Sequence, residues 1–162
     1  MSAAKLTMII PTLVQGGAEK QMCLLAAGLP KSEFEVSVLA LTAGGPWEAY
    51  LQTHGIPVTV IGKRFKFDPF SFRRLWLQLR SDRPDIVHTW IFAANAYGRC
   101  AARWAGVPRL VAGERCVDLW KNEFHFWLDR RLDRWTSAVA TNSQGVVDFY
   151  HQHGIGLMCL LK

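Results

Sequence analysis

The sequence predicts a doubly wound α/β domain built on a mostly parallel, six-stranded sheet. Two observations carry this expectation. Short apolar runs of strand type recur along the 162 residues, and segments with helical spacing separate them. The runs show almost no in/out alternation, the mark of strands covered on both faces, as parallel strands joined by helical crossovers are.

The elements come in this order. Leu6–Pro11 is the first strand, and Ala18, Met22, Leu25 and Leu29 give the first helix its spacing. Val36–Leu41 and Val58–Ile61 are the second and third strands. Asp68-Pro69 reads as a helix cap followed by proline at the first helical position, and Phe72, Leu75, Trp76 and Leu79 then share one helix face. Asp85–His88 leads into Ala93, Tyr97, Cys100, Ala101 and Trp104 at helical spacing. Arg109–Ala112 is the fifth strand, 122–135 the next helix, and Ala138–Thr141 the sixth strand, with Asn142-Ser143 expected to cap a last helix. Gly28, Gly55, Gly106 and Gly154 sit where helices should stop, and Pro30, Pro57 and Pro108 come soon after three of them.

Composition narrows the classes of function. Half of the residues are hydrophobic and 20% are charged, which excludes a disordered chain and a coiled coil. Cys23, Cys100, Cys116 and Cys159 are far apart, so neither a disulfide scaffold nor a cysteine-rich zinc site is expected, and a reducing, cytoplasmic compartment fits. No run approaches the roughly 18 apolar residues of a membrane span. The net charge of +6 is local: the window from Lys63 to Arg83 holds seven basic and two acidic residues.

Ligands of doubly wound sheets sit beyond the carboxyl ends of the strands, and candidate chemistry is concentrated there. Gly16 and Gly17 join the first strand to the first helix, where adjacent glycines and free helix N–H groups suit a phosphate; a tight turn with no ligand is the competing reading. His88 stands at the mouth end of a strand, poised either to hydrogen-bond a substrate or to serve as a satisfied core histidine. Trp90 offers a stacking wall or plain packing. Glu114-Arg115 comes just past the fifth strand; the planar fork of Arg115 suits a diphosphate, and an ordinary Glu–Arg pair is the alternative. No D-x-D, H-E-x-x-H or G-x-S-x-G occurs, so no metal and no nucleophile elbow are expected. From Lys63 to Trp76 charge interleaves with aromatics. A helix with one packed and one solvated face leads there, and Phe65, Phe67 and Phe70 are left over for an anionic membrane surface; nucleic acid is the least favoured partner.

Taken together, Gly-Gly-Ala-Glu-Lys at 16–20, Gly-Ile-Pro-Val at 55–58, Arg-Pro-Asp-Ile-Val-His-Thr-Trp at 83–90, Ala-Asn-x-x-Gly-Arg-x-Ala-Ala-Arg-x-Ala-Gly-Val-Pro at 94–108 and Thr-Asn-Ser at 141–143 resemble the N-terminal domain of family-4 (group 1) glycosyltransferases. The resemblance implies a Rossmann-like domain over residues 1–154, the acceptor side of a GT-B enzyme, with 155–162 a tail where the likeness ends and the second domain absent. It implies retaining, metal-independent transfer of a hexosyl unit from a nucleotide-sugar donor to a sugar or lipid-linked acceptor. No cofactor is expected besides that co-substrate, and the chain alone is expected to turn over little. Gly16 and Gly17 would border the donor diphosphate. His88 and Arg115 would be the catalytic pair, and Trp90, Asn95 and Glu114 would line the acceptor side of the cleft. A stand-alone module that binds a phosphorylated small molecule or an anionic membrane, without catalysis, remains the alternative.

Overall fold

Each of the six runs expected as a strand forms one in the structure, a computed structural model that describes residues 2–156 and 158–160. In chain order these are β1 (Ala4–Thr12), β2 (Phe34–Ala43), β3 (Val58–Val60), β4 (Ile86–Trp90), β5 (Arg109–Glu114) and β6 (Ala138–Thr141). Six helices alternate with them: α1 (Gly17–Gly28), α2 (Trp47–Thr53), α3 (Pro69–Asp82), α4 (Ile91–Ala105), α5 (Glu123–Asp133) and α6 (Gln144–Gln152). The sheet has one strand more than the six expected. Met158–Leu160, within the stretch read as a tail, forms β7 and pairs in parallel with β6.

The strand order is β3-β2-β1-β4-β5-β6-β7, and every pairing is parallel. The chain winds outward from β1 to β3, crosses back to β4, and then winds the other way. The topological switch point therefore falls between β1 and β4, which pair with Met8 opposite His88.

Side-chain alternation divides the core between two faces. Leu6, Met8, Ile10, Val38 and Ala40 pack with Met22, Cys23 and Ala26 of α1 and Leu51 of α2. On the other face Ile9, Leu39, Leu41, Val87 and Leu110 meet Leu75 and Leu79 of α3 and Ala94, Ala101 and Ala102 of α4. Ala112 and Val139 continue that second face against Phe126 of α5 and Val146 and Tyr150 of α6.

The punctuation read from sequence acts as expected at most positions. Asp68 caps α3 by accepting from the Ser71 N–H, and Pro69 occupies the first turn. Ser143 caps α6 through the Val146 N–H. Gly55, Gly106 and Gly154 take the left-handed conformation that favours glycine, with φ of 72°, 80° and 74°. Gly28 does not, because α1 closes through the Leu29 N–H in extended backbone. Cys23, Cys100 and Cys116 carry free thiols, as expected; Cys159 lies where side chains are outside the described structure.

Candidate functional site

The β1–α1 connection opens at the carboxyl end of the sheet beside the switch point. Gly16, the residue before α1, is extended at φ −149° and ψ 162°, and no side chain caps the helix. The first-turn N–H groups therefore have neither a capping side chain nor a partner within the helix. Gly16 and Gly17 line an open depression of about 550 Å³ together with Gln15, Lys20, Pro46, Trp47 and Tyr50. A side chain added at Gly17 would meet nothing within 4 Å, whereas one at Gly16 would strike the Glu19 carboxylate. Glu19 is buried and accepts from the Thr12 hydroxyl at 3.5 Å. A carboxylate thus stands in the notch, complementing the helix dipole, while Lys20 supplies the cation on the rim.

A second glycine pair completes this wall. A Cβ at Gly45 would collide with the Leu13 carbonyl oxygen, so only glycine lets the β2–α2 loop lie against the β1–α1 loop. Sequence reasoning singled out neither Gly45 nor Trp47 and Tyr50. The signal was present in Gly-Gly-Pro-Trp at the mouth end of the second strand.

The residues expected to form one site fall into three groups. Gly16 and Gly17 line the depression, which neither His88 nor Arg115 lines. His88, Trp90 and Arg115 form a stack of their own. The Arg115 guanidinium lies 3.9 Å from the centre of the Trp90 ring, and the His88 ring packs on that indole at 4.9 Å. Trp90 is 1% exposed and belongs to the core beneath α1, so it is no open cleft wall; both faces of β4 are covered, with Thr89 buried on the other. The chain passes from β4 into α4 with no intervening loop, and Ile91 takes φ 57°, a strained conformation for a β-branched residue.

Asn95 and Glu114 make the third group, and both are interior. Asn95 donates to the Gly113 carbonyl at 3.0 Å and to Glu114 Oε1 at 2.8 Å, and its Oδ1 accepts from the Thr89 hydroxyl at 2.6 Å. Glu114 continues into a buried ionic cluster with Lys121, Asp118, Asp129, Arg99 and the Tyr150 hydroxyl. Burial pushes the Glu114 carboxyl well above the usual carboxylate range although Lys121 pulls against it. These two residues hold the mouth from behind. Helical spacing could have shown this for Asn95, which shares an inward stripe with Ala94, Gly98, Ala101 and Ala102.

His88 is buried with no hydrogen-bond partner at Nε2, and burial, with the Arg115 charge, lowers its pKa to about 3. It is a neutral imidazole at physiological pH, able to exchange hydrogen bonds but not to carry charge. Burial also lowers the Arg115 pKa, and the guanidinium stays cationic. The buried imidazole makes stability depend on pH. In the unfolded chain it protonates near its ordinary value of 6.5, whereas in the folded chain it resists protonation down to about 3. Its stabilising contribution is complete above that upper value and falls as pH drops through the window. Between pH 7 and about pH 4.5 the wild-type thermal midpoint should therefore drop further than that of His88→Gln. Equal slopes in the two proteins would show that the imidazole titrates freely.

A cavity of about 630 Å³, larger than the depression at Gly16 and Gly17, lies at the opposite end, where Lys5, Phe34, Glu35, Pro57 and Pro84 surround the amino ends of the strands. Position argues against it as the reaction site, since ligands of such sheets bind at the carboxyl ends.

The sequence profile of Glycosyltransferase Family 4 matches residues 15–156. The chain belongs to this family. Among solved structures it is similar to HepE from Anabaena, crystallised in complex with UDP, at TM-score 0.80 and 20% identity over 97% of this chain and 43% of that one. MurG of Acinetobacter baumannii is similar at TM-score 0.63 and 19% identity, over 88% of this chain and 42% of that protein. The UDP-GlcNAc 2-epimerase of Methanocaldococcus jannaschii is similar at TM-score 0.63 and 13% identity, over 96% and 45%. Likeness at these identities shows the fold, the Rossmann-like half of a GT-B architecture. Transferases and epimerases share that fold, so the family match, and not the shape, marks this domain as glycosyltransferase type. The chain spans less than half the length of each of these three proteins. No curated protein matches it in sequence. Among the described residues no helix of this family-4 domain is long and apolar enough to cross a membrane.

Proposed function

We propose that this chain is the acceptor-binding half of a retaining, metal-independent glycosyltransferase that takes a hexosyl unit from a nucleotide-sugar. The observation that carries the reading is the uncapped start of α1 at Gly16 and Gly17, open to a depression at the carboxyl end of β1. Helix-start N–H groups that no side chain caps recognise a diphosphate without a metal, because the helix dipole favours its charge, and the ligand would approach on the Gly17 side, beside the Glu19 carboxylate that stands against Gly16. Lys20 on the rim adds a cation. Support for a nucleotide-sugar comes from HepE, which shares the fold and is solved with UDP, and with UDP and glucose.

As the bond from the sugar to the diphosphate breaks, negative charge grows on the departing phosphate and the sugar becomes oxocarbenium-like. The helix start stabilises the first, and Arg115 is the second positive group proposed for that task. His88, neutral, holds a hydrogen bond to the substrate and takes no proton of its own. Burial of His88 also favours a second reading, a module that binds a phosphorylated ligand without turnover.

Backbone amide shifts of Gly16, Gly17 and Ala18, monitored during titration with UDP and with inorganic pyrophosphate, test both readings. Those three amides should move with either ligand. Gly17→Val, placed where a side chain meets nothing within 4 Å, should keep its thermal midpoint and weaken binding about tenfold by standing between ligand and backbone. Unmoved amides, or equal affinity in the variant, would remove the diphosphate site. Robust sugar transfer by the 162-residue chain alone would overturn the acceptor-half reading.

A further inference from the structure

We propose that the rim formed by the β3–α3 loop and the start of α3 docks on a bilayer that contains anionic phospholipid, with Phe65, Phe67 and Phe70 entering the interface. These rings are 69%, 78% and 78% exposed, a large apolar cost in water that is offset only if something covers them. They are not the free end of a loose loop. The Asp68 carboxylate accepts from the N–H of Arg64 at 3.0 Å, the N–H of Ser71 at 3.0 Å and the Ser71 hydroxyl at 2.8 Å, while the Asp68 N–H donates to the Tyr97 hydroxyl at 2.9 Å. The backbone is held at 64 and at 68 while the rings of Phe65 and Phe67 stand outward, so the surface is present without any partner.

Charge identifies that partner. Arg64 and Arg74 stand beside Phe65 and Phe70, Lys63, Lys66 and Arg73 flank the rings in sequence, and the acid among them, Asp68, is 6% exposed and already committed to the loop. A hollow of about 240 Å³ beside Phe65 and Phe70 is lined by Arg64, Arg74, Ser71 and Asp68, whose carboxylate is turned to Ser71 and the Arg64 N–H, so two guanidinium groups face one committed acid there. Cations at head-group level around apolar side chains below it is the pattern of a protein lying on an anionic membrane. A nucleic acid would ask for a groove that tracks its backbone, whereas these rings stand out singly from a rim. Leu119, Trp120 and Phe124, also exposed, lie before and at the start of α5, at the carboxyl end of the same sheet. Docked in this way, the mouth of the sheet faces the membrane surface. The inference does not depend on the donor site proposed above.

Co-sedimentation of the full chain with vesicles of phosphatidylcholine alone, and with about 30% phosphatidylglycerol added, is the test. The chain should bind the anionic vesicles, bind the neutral ones poorly, and release in high salt. Phe65→Ser, Phe67→Ser and Phe70→Ser combined should weaken partitioning at least about tenfold. The thermal midpoint should stay unchanged, because the rings contribute little to the core. Leu24→Ser, an exposed apolar site on α1, should bind like the wild type. Wild-type failure to bind anionic vesicles, undiminished binding by the triple variant, or tighter binding to single-stranded RNA than to vesicles would each overturn the proposal. So would pelleting without vesicles that the triple variant abolishes, which would make the surface a contact between copies of the chain.

Discussion

Asp129→Ala should destabilise the domain by about 3–5 kcal/mol, because it leaves buried cations without their counter-charge. Asp129 is 1% exposed and pairs with Arg99, itself 2% exposed, through one carboxylate oxygen, while the other accepts from Lys121 Nζ at 3.0 Å. Arg99 has few alternatives: its Nε donates to the Asn95 carbonyl at 2.9 Å and Nη1 to the Thr136 hydroxyl at 3.3 Å, both neutral acceptors. The pair joins α4 to α5 on the sheet face behind the mouth. Urea unfolding of wild type and variant at pH 7 reads the loss directly, and Asp129→Asn serves if the alanine variant does not fold. Arg99→Met combined with Asp129→Leu should regain much of the difference, since removing both charges also removes the cost of burying them. A loss under about 1 kcal/mol for Asp129→Ala would mean that water reaches the cluster and that the pair is worth no more than a surface ion pair.

These charges show why the fold was more legible than the site. A parallel strand covered on both faces announces itself locally, as Leu6–Pro11 and Val36–Leu41 do, and a cap such as Asp68-Pro69 is complete within a few residues. The ionic cluster has no local signature. Arg99, Glu114, Asp118, Lys121, Asp129 and Tyr150 come from two helices, a strand end, a loop and a third helix, and only the packed sheet collects them. The family resemblance places Glu114 and Asn95 in the cleft, and both lie near strand ends, where an open mouth and its buried support are found together. Position along the strand was readable; the side of the sheet on which each side chain falls depended on a register that the sequence does not print. Gly16 and Gly17 were readable for the opposite reason, since glycines at a strand-to-helix junction state a local geometry whatever surrounds them.

Lys121→Met is expected to cost a similar 3–5 kcal/mol at pH 7, and unlike the Asp129 variant it should recover as the solution is acidified. Lys121 Nζ is fully buried and lies 3.6 Å from Glu114, 3.2 Å from Asp118 and 3.0 Å from Asp129, and it donates to the Tyr150 hydroxyl at 2.7 Å. Burial opposes its charge, yet the three carboxylates hold the ammonium pKa above its ordinary value. The Tyr150 hydroxyl stands 3.0 Å from Glu114 Oε2 and 2.8 Å from Asp118 Oδ2 with one proton to share between them. Without the ammonium, the cluster keeps one guanidinium; Glu114, whose carboxyl is already held above its ordinary range by burial, loses the charge that pulls it down, and Asp118 loses one of the groups that lower it. A carboxyl whose folded pKa is raised destabilises the fold as pH climbs through that pKa, so the gap between wild type and variant should be widest near pH 8 and narrow toward about pH 5. The same cluster fixes the chain on both sides of Arg115, through Glu114 before it and Asp118 and Lys121 after it. Lys121→Met should therefore also loosen the seat of Arg115 on Trp90, and weaken pyrophosphate binding at pH 7 if that guanidinium reaches the ligand. Measured together, a stability gap that closes with acid and an affinity that does not would separate the scaffold's role from the site's. A gap that stays constant from pH 5 to pH 8 would show that the carboxylates find other compensation, and the cluster would then be packing rather than charge.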